Sequence, residues 1–538
     1  MPPIVELQSG EDCVEQRHSM KGMIGRRTLL RGVAVTGAGI AAGMPAGMLM
    51  AQGAAPPDAS PAASPTVSRL PDLAIDLDRG PDNLDPALAY SSRDWSIVHA
   101  IYDSLLHFAA DGEIVPLAAE SFTSDDAKTF HVVLREGLTY HDGTPVKAEA
   151  IARSVTHIQE SDSQIAALFQ GIESVEVVDD RTAILHCTEP SAWLPSQIAV
   201  WLVLYPEGMD ERTWWTAPVG TGPYRFASYE AGSQVTLERN KAYTWGSPKG
   251  EPLADRVTYR FVPEAATRIA DLSTGAARIV TSVPLDQRDA ISDAGAEPVI
   301  EPILGTSFLR IATDAKPFDD PRVCQALNYA IDVETIAATL VAPESHRLAA
   351  LYPDPRGLGF DPDLAPFAYD PDKARALLSE AGLADGFATT LQFAATEKAD
   401  ALEAIASYLG DVGIHVTLEA VELAAFNQAW PDTSAPPIRY ASWRPLYDPH
   451  SLLSLMYLST GYLSRYNNPA VDKLILAAAA EPNVQARTDL YRQLGREMQV
   501  SPGAVYLWNI VSGYGVAPDA LAWSPRGDDY TIAMANAR

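Results

Sequence analysis

Side chains able to do chemistry are abundant in this chain, but their spacing points to binding rather than reaction. The ten histidines, at 18, 99, 107, 131, 141, 157, 186, 346, 415 and 450, include no His-Glu-x-x-His pair or comparable metal-ligand spacing. No Gly-x-Ser-x-Gly turn presents a nucleophile, and no glycine loop is built for phosphate. With 69 carboxylates some pair can be found anywhere, so a paired-acid mechanism has little support. Cys187 and Cys324 read as free buried thiols, with a disulfide in an oxidising compartment as the alternative. No metal site and no cofactor is expected. The informative stretch is Ser442-Trp443-Arg444-Pro445-Leu446-Tyr447-Asp448-Pro449-His450. Trp443 and Tyr447 read either as walls of a ligand cleft or as core aromatics beside a loop. Arg444 reads as a ligand contact, a solvated side chain or a partner of Asp448. Asp448-Pro449 suits a loop former that caps a helix starting near His450. The ten tryptophans fit an aromatic cleft that holds varied ligands by stacking and through water.

Such a loop needs a scaffold, and several elements are legible. Phe130, Val132 and Leu134 alternate with His131, Val133 and Arg135, which predicts a half-buried strand. His141-Asp142-Gly143-Thr144-Pro145 predicts a turn, and a helix follows from Lys147 through Ile151 and Val155. Asp370-Pro371 and Asp320-Pro321 each supply an N-cap and a proline at the first helical position. Ala374, Leu377, Leu378 and Ala381 form one apolar face, which Gly382 ends. Val257, Tyr259 and Phe261 alternate as a strand before a short helix ending at Gly275. Strands and helices mix without a regular βαβ repeat, so the class is α/β with mixed sheets.

The 538 residues, 47% of them apolar, can build two or three domain-sized cores. A net charge of −29 argues against nucleic acid as a partner. Gly25-Arg26-Arg27-Thr28-Leu29-Leu30-Arg31, before an apolar run from Gly32 to Met50, resembles a twin-arginine export motif. The expectation is a signal segment over 1–53, cleaved or retained as an anchor, with translation starting at Met1 or Met23. The glycines after Val33 mimic a dinucleotide-binding loop, but the flanking arginines and the Pro/Ala/Ser tract over 54–69 favour the signal and a flexible linker.

The stretch Leu134-Arg135-Glu136-Gly137-Leu138-Thr139-Tyr140-His141-Asp142-Gly143-Thr144-Pro145-Val146-Lys147-Ala148-Glu149 resembles the signature of family 5 extracellular solute-binding proteins, the peptide- and nickel-type receptors of ABC importers. Further segments are similar to that family in its order: Gly220-Thr221-Gly222-Pro223-Tyr224, Phe318-Asp319-Asp320-Pro321-Arg322-Val323, Tyr369-Asp370-Pro371 and Tyr466-Asn467-Asn468-Pro469. The resemblance implies an α/β, two-lobed periplasmic-binding-protein fold with mixed sheets, a hinge and an extra inserted subdomain. Lobe I would comprise 70–100, 219–303 and a C-terminal return over 496–538. The inserted subdomain would occupy 101–218, and lobe II 304–495.

It also implies a non-enzymatic, monomeric receptor at the extracytoplasmic or periplasmic face of the membrane. Its partners would be a small-molecule or peptide ligand, the ABC permease and the twin-arginine export machinery. Peptide-binding members carry a carboxylate before the motif tyrosine to clamp the ligand's α-ammonium. That position is Leu446 here, which counts against ordinary peptide recognition. The nickel-chelate members' Trp and Tyr fall on Trp443 and Tyr447, and two further cleft positions fall on Tyr90 and Trp95. Those members' arginine would fall within Ala199–Val203, where none occurs; Arg444 is a candidate substitute. The expected ligand is an oligopeptide or related small organic solute, with a metal chelate as the alternative and a secreted hydrolase as a remote one.

Overall fold

The computed structural model describes residues 69–535 apart from Tyr90, Gln164, Pro353 and Leu446. The expected signal segment over 1–53, nearly all of the linker, Cys13, Tyr90 and Leu446 therefore lie outside the described residues.

Caps and turns set many of the element boundaries. Asp320 and Asp370 accept the backbone N–H groups of Arg322 and Lys373, starting the helices Pro321–Ala330 and Pro371–Glu380. Gly275 closes the helix Ala265–Thr274 with φ +75°, and Gly143 turns the 140s loop with φ +89°. Phe130, Val132 and Leu134 are buried on one side of the strand Thr129–Leu134. Each such apolar side chain contributes about 1.5–3 kcal/mol relative to exposure. Ala150, Ile151, Ser154, Val155 and Ile158 form the buried stripe of the helix Glu149–Glu160.

One ten-stranded mixed sheet runs through the molecule. Its order is Ile414–Val421, Phe387–Ala394, Ile438–Trp443, Glu297–Ile311, Ala504–Val516, Ile279–Val280, Leu70–Leu77, Ala254–Phe261, Gln234–Arg239 and Tyr224–Glu230. A separate four-stranded antiparallel sheet orders Ala119–Thr123, Thr129–Leu134, Thr182–Cys187 and Ile172–Val177. The first core joins the apolar side chains of this small sheet to Leu73, Ile75, Val257 and Tyr259. Separate cores form around Leu327, Leu391 and Ile405, and around Leu452, Tyr491 and Leu494.

The two long central strands connect these bodies. Leu304, Tyr514 and Val516 pack into the first core, whereas Leu309, Ile311, Val505 and Leu507 pack into the second. Between those points the antiparallel register slips twice, at Pro302–Thr306 and Thr306–Phe308. Slips of this kind break ladder hydrogen bonds and bend a strand, and these two lie where the strands pass from the first core to the second.

Candidate functional site

The loop after the strand Ile438–Trp443 faces the helix Leu194–Trp201 across the junction of the two lobes. Between them lies a cavity of about 60 Å³, partly open to solvent. Trp443, Arg444, Pro445 and Tyr447 line one wall; Ser196, Gln197, Val200 and Trp201 line the other. Phe108, Ile165, Leu168 and Leu455 complete its apolar lining. Apolar walls with a few placed polar groups are the lining that suits a small organic ligand.

Tyr447 closes the inner end. Its ring stacks on Phe108 with centroids 3.6 Å apart and planes 7° from parallel. Its hydroxyl donates to Asp528 Oδ2 at 3.2 Å, and burial pushes the phenol's pKa far above its ordinary value. Behind the stacked pair, a wider chamber includes His107, Lys249, Glu301, Arg356 and Arg526 in its lining. Burial works against the Arg526 charge, but Asp528, 2.7 Å away, outweighs it and raises the guanidinium pKa. Burial, followed by the nearby Arg526 charge, keeps His107 neutral well below its ordinary range.

Asp448 organises the loop's far end. Its Oδ1 accepts the His450 N–H at 3.0 Å and the Tyr491 hydroxyl at 3.1 Å. Oδ2 takes the Ser196 hydroxyl at 3.3 Å and the Arg487 guanidinium at 3.1 Å. The helix His450–Met456 starts at this carboxylate. Arg487 also donates to the Ala192 carbonyl, and Ala192 donates its own N–H to the Ala479 carbonyl at 2.8 Å. The His450 ring stacks on Trp193 at 4.8 Å, and burial lowers its pKa to about 4. Residues 192–196 are thus fastened to the 448–487 region at several points.

The expected site residues are placed differently from one another. Trp443, Arg444 and Tyr447 meet at the cavity. Trp95 is fully buried behind its wall, with Nε1 donating to the Ala89 carbonyl at 2.7 Å and its ring edge-on to Trp201 at 5.0 Å. It reaches the cavity only through Trp201. Where an arginine was sought over 199–203, Val200 and Trp201 form the wall instead. Pairing of Arg444 with Asp448 is corrected: Arg487 already occupies that carboxylate, and Arg444 Nη1 reaches Asp529 Oδ2 at 2.7 Å. Cys187 and Cys324 are buried, unpaired thiols. Among the described residues no group of three or more His, Cys, Asp or Glu is placed to hold a metal ion.

Phe108, Ser196, Gln197, Asp528 and Asp529 were not anticipated. The only local signal was the polar run Arg526-Gly527-Asp528-Asp529 in the tail.

Residues 113–464 match the family described as bacterial extracellular solute-binding proteins, family 5. The glutathione-binding protein GsiB of Pectobacterium atrosepticum is 30% identical over 350 residues, covering 63% of this chain and 67% of that protein. NikA from Brucella suis, solved with Fe(III)-EDTA, superposes with a TM-score of 0.74 at 23% identity, covering 86% of this chain and 98% of that one. DppA from Helicobacter pylori, solved with the peptide STSA, gives 0.70 at 22% identity, covering 86% and 97%. The chain belongs to the bacterial extracellular solute-binding proteins of family 5, two-lobed receptors of ABC importers.

Proposed function

We propose that this receptor binds a small peptide-like organic solute in the cavity between Trp443–Tyr447 and the helix Leu194–Trp201, closes on it and hands it to the permease. The observation that carries this reading is the meeting of Trp443, Arg444 and Tyr447 with the helix Leu194–Trp201 around one cavity with apolar walls and a few polar groups. The glutathione specificity in the relative's name supports a solute that is short and zwitterionic. A nickel-type chelate is the second reading. The NikA likeness gives it the fold, and the Trp443/Tyr447 pairing gives it the local motif.

On this proposal the protein acts as a monomer without catalysis, after export through the twin-arginine route. Lobe I is built from 70–100, 219–303 and 496–538, the subdomain from 101–218 and lobe II from 304–495. The passage of the two long strands between separate cores supports two lobes, with Val505 and Leu507 in the second core and Tyr514 and Val516 in the first.

A thermal-shift panel of short peptides, glutathione and nickel–histidine chelates tests the reading on the full chain. A ligand bound only by the folded state raises the melting temperature. Trp443→Ala should abolish the shift that the wild type shows. An unchanged shift in Trp443→Ala removes the cavity as the site, and silence across the whole panel refutes the ligand classes proposed.

A further inference from the structure

Asp448 lines the cavity, Asp528 and Asp529 stand behind Tyr447 and Arg444, and each is already met by an arginine: Asp448 by Arg487, Asp528 by Arg526 and Asp529 by Arg444. The first two pairs are closed, with side-chain exposures of 0% and 4% for Asp448 and Arg487, and 3% and 16% for Asp528 and Arg526. The third is open. Arg444 is 38% exposed, Asp529 12%, and their 2.7 Å contact joins the cavity-lining loop to the C-terminal tail.

Asp529 is held as a prepared acceptor. Tyr514 donates its hydroxyl to Oδ1 at 2.5 Å, and Ser92 reaches Oδ2 at 3.3 Å. Its backbone has φ +64°, a left-handed conformation. Ser282, with φ +52°, stands in the same polar cluster. It accepts from Arg93 at 2.9 Å, and Arg93 also reaches Ser92 at 3.2 Å and Asp78 at 2.7 Å. Only one other described non-glycine residue, Ala127, has positive φ. Backbone held in such conformations concentrates at ligand clamps, where the surrounding structure over-determines it.

We propose that Asp529 and Arg444 form an exchangeable ion pair that clamps an α-amino-acid head group, one bearing its ammonium and carboxylate on a single carbon. This deepens, and rests on, the reading of the interlobe cavity as the solute site. As the head group enters, its ammonium replaces Arg444 on Asp529 and its carboxylate takes the freed guanidinium. Each charge keeps an opposite partner, so neither is stranded. The two protein charges are in direct contact, which matches ligand charges one carbon apart. An ordinary peptide carries its terminal charges at opposite ends and could satisfy only one of the pair. A γ-linked glutamyl peptide carries both at one end. Asp529 thus supplies, from the tail, the ammonium partner that Leu446 does not.

The test is titration calorimetry of the full chain with three probes: glutathione, N-acetylated glutathione and trialanine. The wild type should bind glutathione at least tenfold more tightly than either other probe, the scale of one charge-assisted hydrogen bond. Asp529→Asn should weaken glutathione at least tenfold and bring the free and acetylated forms within about twofold of each other. Arg444→Gln, at an exposed side chain, should weaken glutathione comparably and guards against a folding defect in the first variant. Trp443→Ala should weaken both glutathione forms alike. Wild-type affinity and discrimination in Asp529→Asn overturn the clamp while leaving the cavity reading standing. Tighter binding of trialanine than glutathione overturns the head-group class. If none of the three binds the wild type, the clamp fails, and the cavity reading falls with it only if the broader panel is also silent.

Discussion

The Asp448–Arg487 pair gives the sharpest energetic prediction. Both side chains are almost wholly removed from solvent, and their charged atoms are 3.1 Å apart. With an effective dielectric constant of about 20, attraction at that distance is about 5 kcal/mol. Most of it offsets the desolvation of the two ions, so the pair's net contribution is much smaller. Removing one partner is different, because it strands the other charge in the interior at a cost of about 3–5 kcal/mol. Asp448→Ala should therefore lose about 3–5 kcal/mol, and Arg487→Met a comparable amount. The double variant should lose at least about 2 kcal/mol less than the sum of the singles, because no lone charge remains. Urea unfolding followed by circular dichroism on all four proteins closes the cycle. Losses that add to within about 0.5 kcal/mol would mean that the two residues act independently, and the account of Asp448 as the loop's electrostatic anchor would be wrong.

Three further outcomes are expected. A Cβ on Gly220 would sit 2.0 Å from the Ile101 carbonyl oxygen, so Gly220→Ala should cost about 1–3 kcal/mol in the same urea assay; a neutral result would show that the chain shifts there freely. Arg439 is buried between Phe426 and Trp430, directly opposite Arg310 in the strand register, and burial brings both guanidinium pKa values down to about 10. No ion pair to either is present among the described residues, so Arg439→Met should raise stability by about 1–3 kcal/mol, whereas a clear loss would show that stacking on the aromatic rings outweighs the unpaired charge. Burial lowers His141 and His450 to about 4 and holds His99 and His107 well below their ordinary values. Between about pH 4 and 6.5 the unfolded chain binds these protons and the folded chain does not, so their contribution to stability rises with pH. Asp76, raised to about 7 by burial, and Asp103 and Glu397, also raised by burial, oppose this because they stay protonated longer in the fold. Four lowered histidines against three raised carboxylates leave a net rise of stability with pH. The melting temperature should climb from pH 4.5 to 6.5, and a flat profile would contradict the neutral buried histidines.

What could be read from the chain was local. Asp320-Pro321, Asp370-Pro371 and Gly275 mark helix ends because the cap, the proline ring and the left-handed glycine act within a few residues. Phe130, Val132 and Leu134 announce their strand for the same reason. Trp443, Arg444 and Tyr447 could be picked out because they share one short segment. Their partners could not. Phe108 stacks on Tyr447 and Asp529 pairs with Arg444 across separations that no periodicity spans. Trp95 shows the opposite difficulty: a large aromatic reads alike whether it faces a ligand or, as here, stands one layer behind Trp201.

The central claim is that solute is held between the Trp443–Tyr447 loop and the Leu194–Trp201 helix. A crystal structure of the full chain grown with whichever panel member gives the largest thermal shift tests it most directly. Ligand density should lie against Trp443 and Trp201, within hydrogen-bonding distance of Arg444. Density elsewhere on the protein, with this cavity empty, would contradict it.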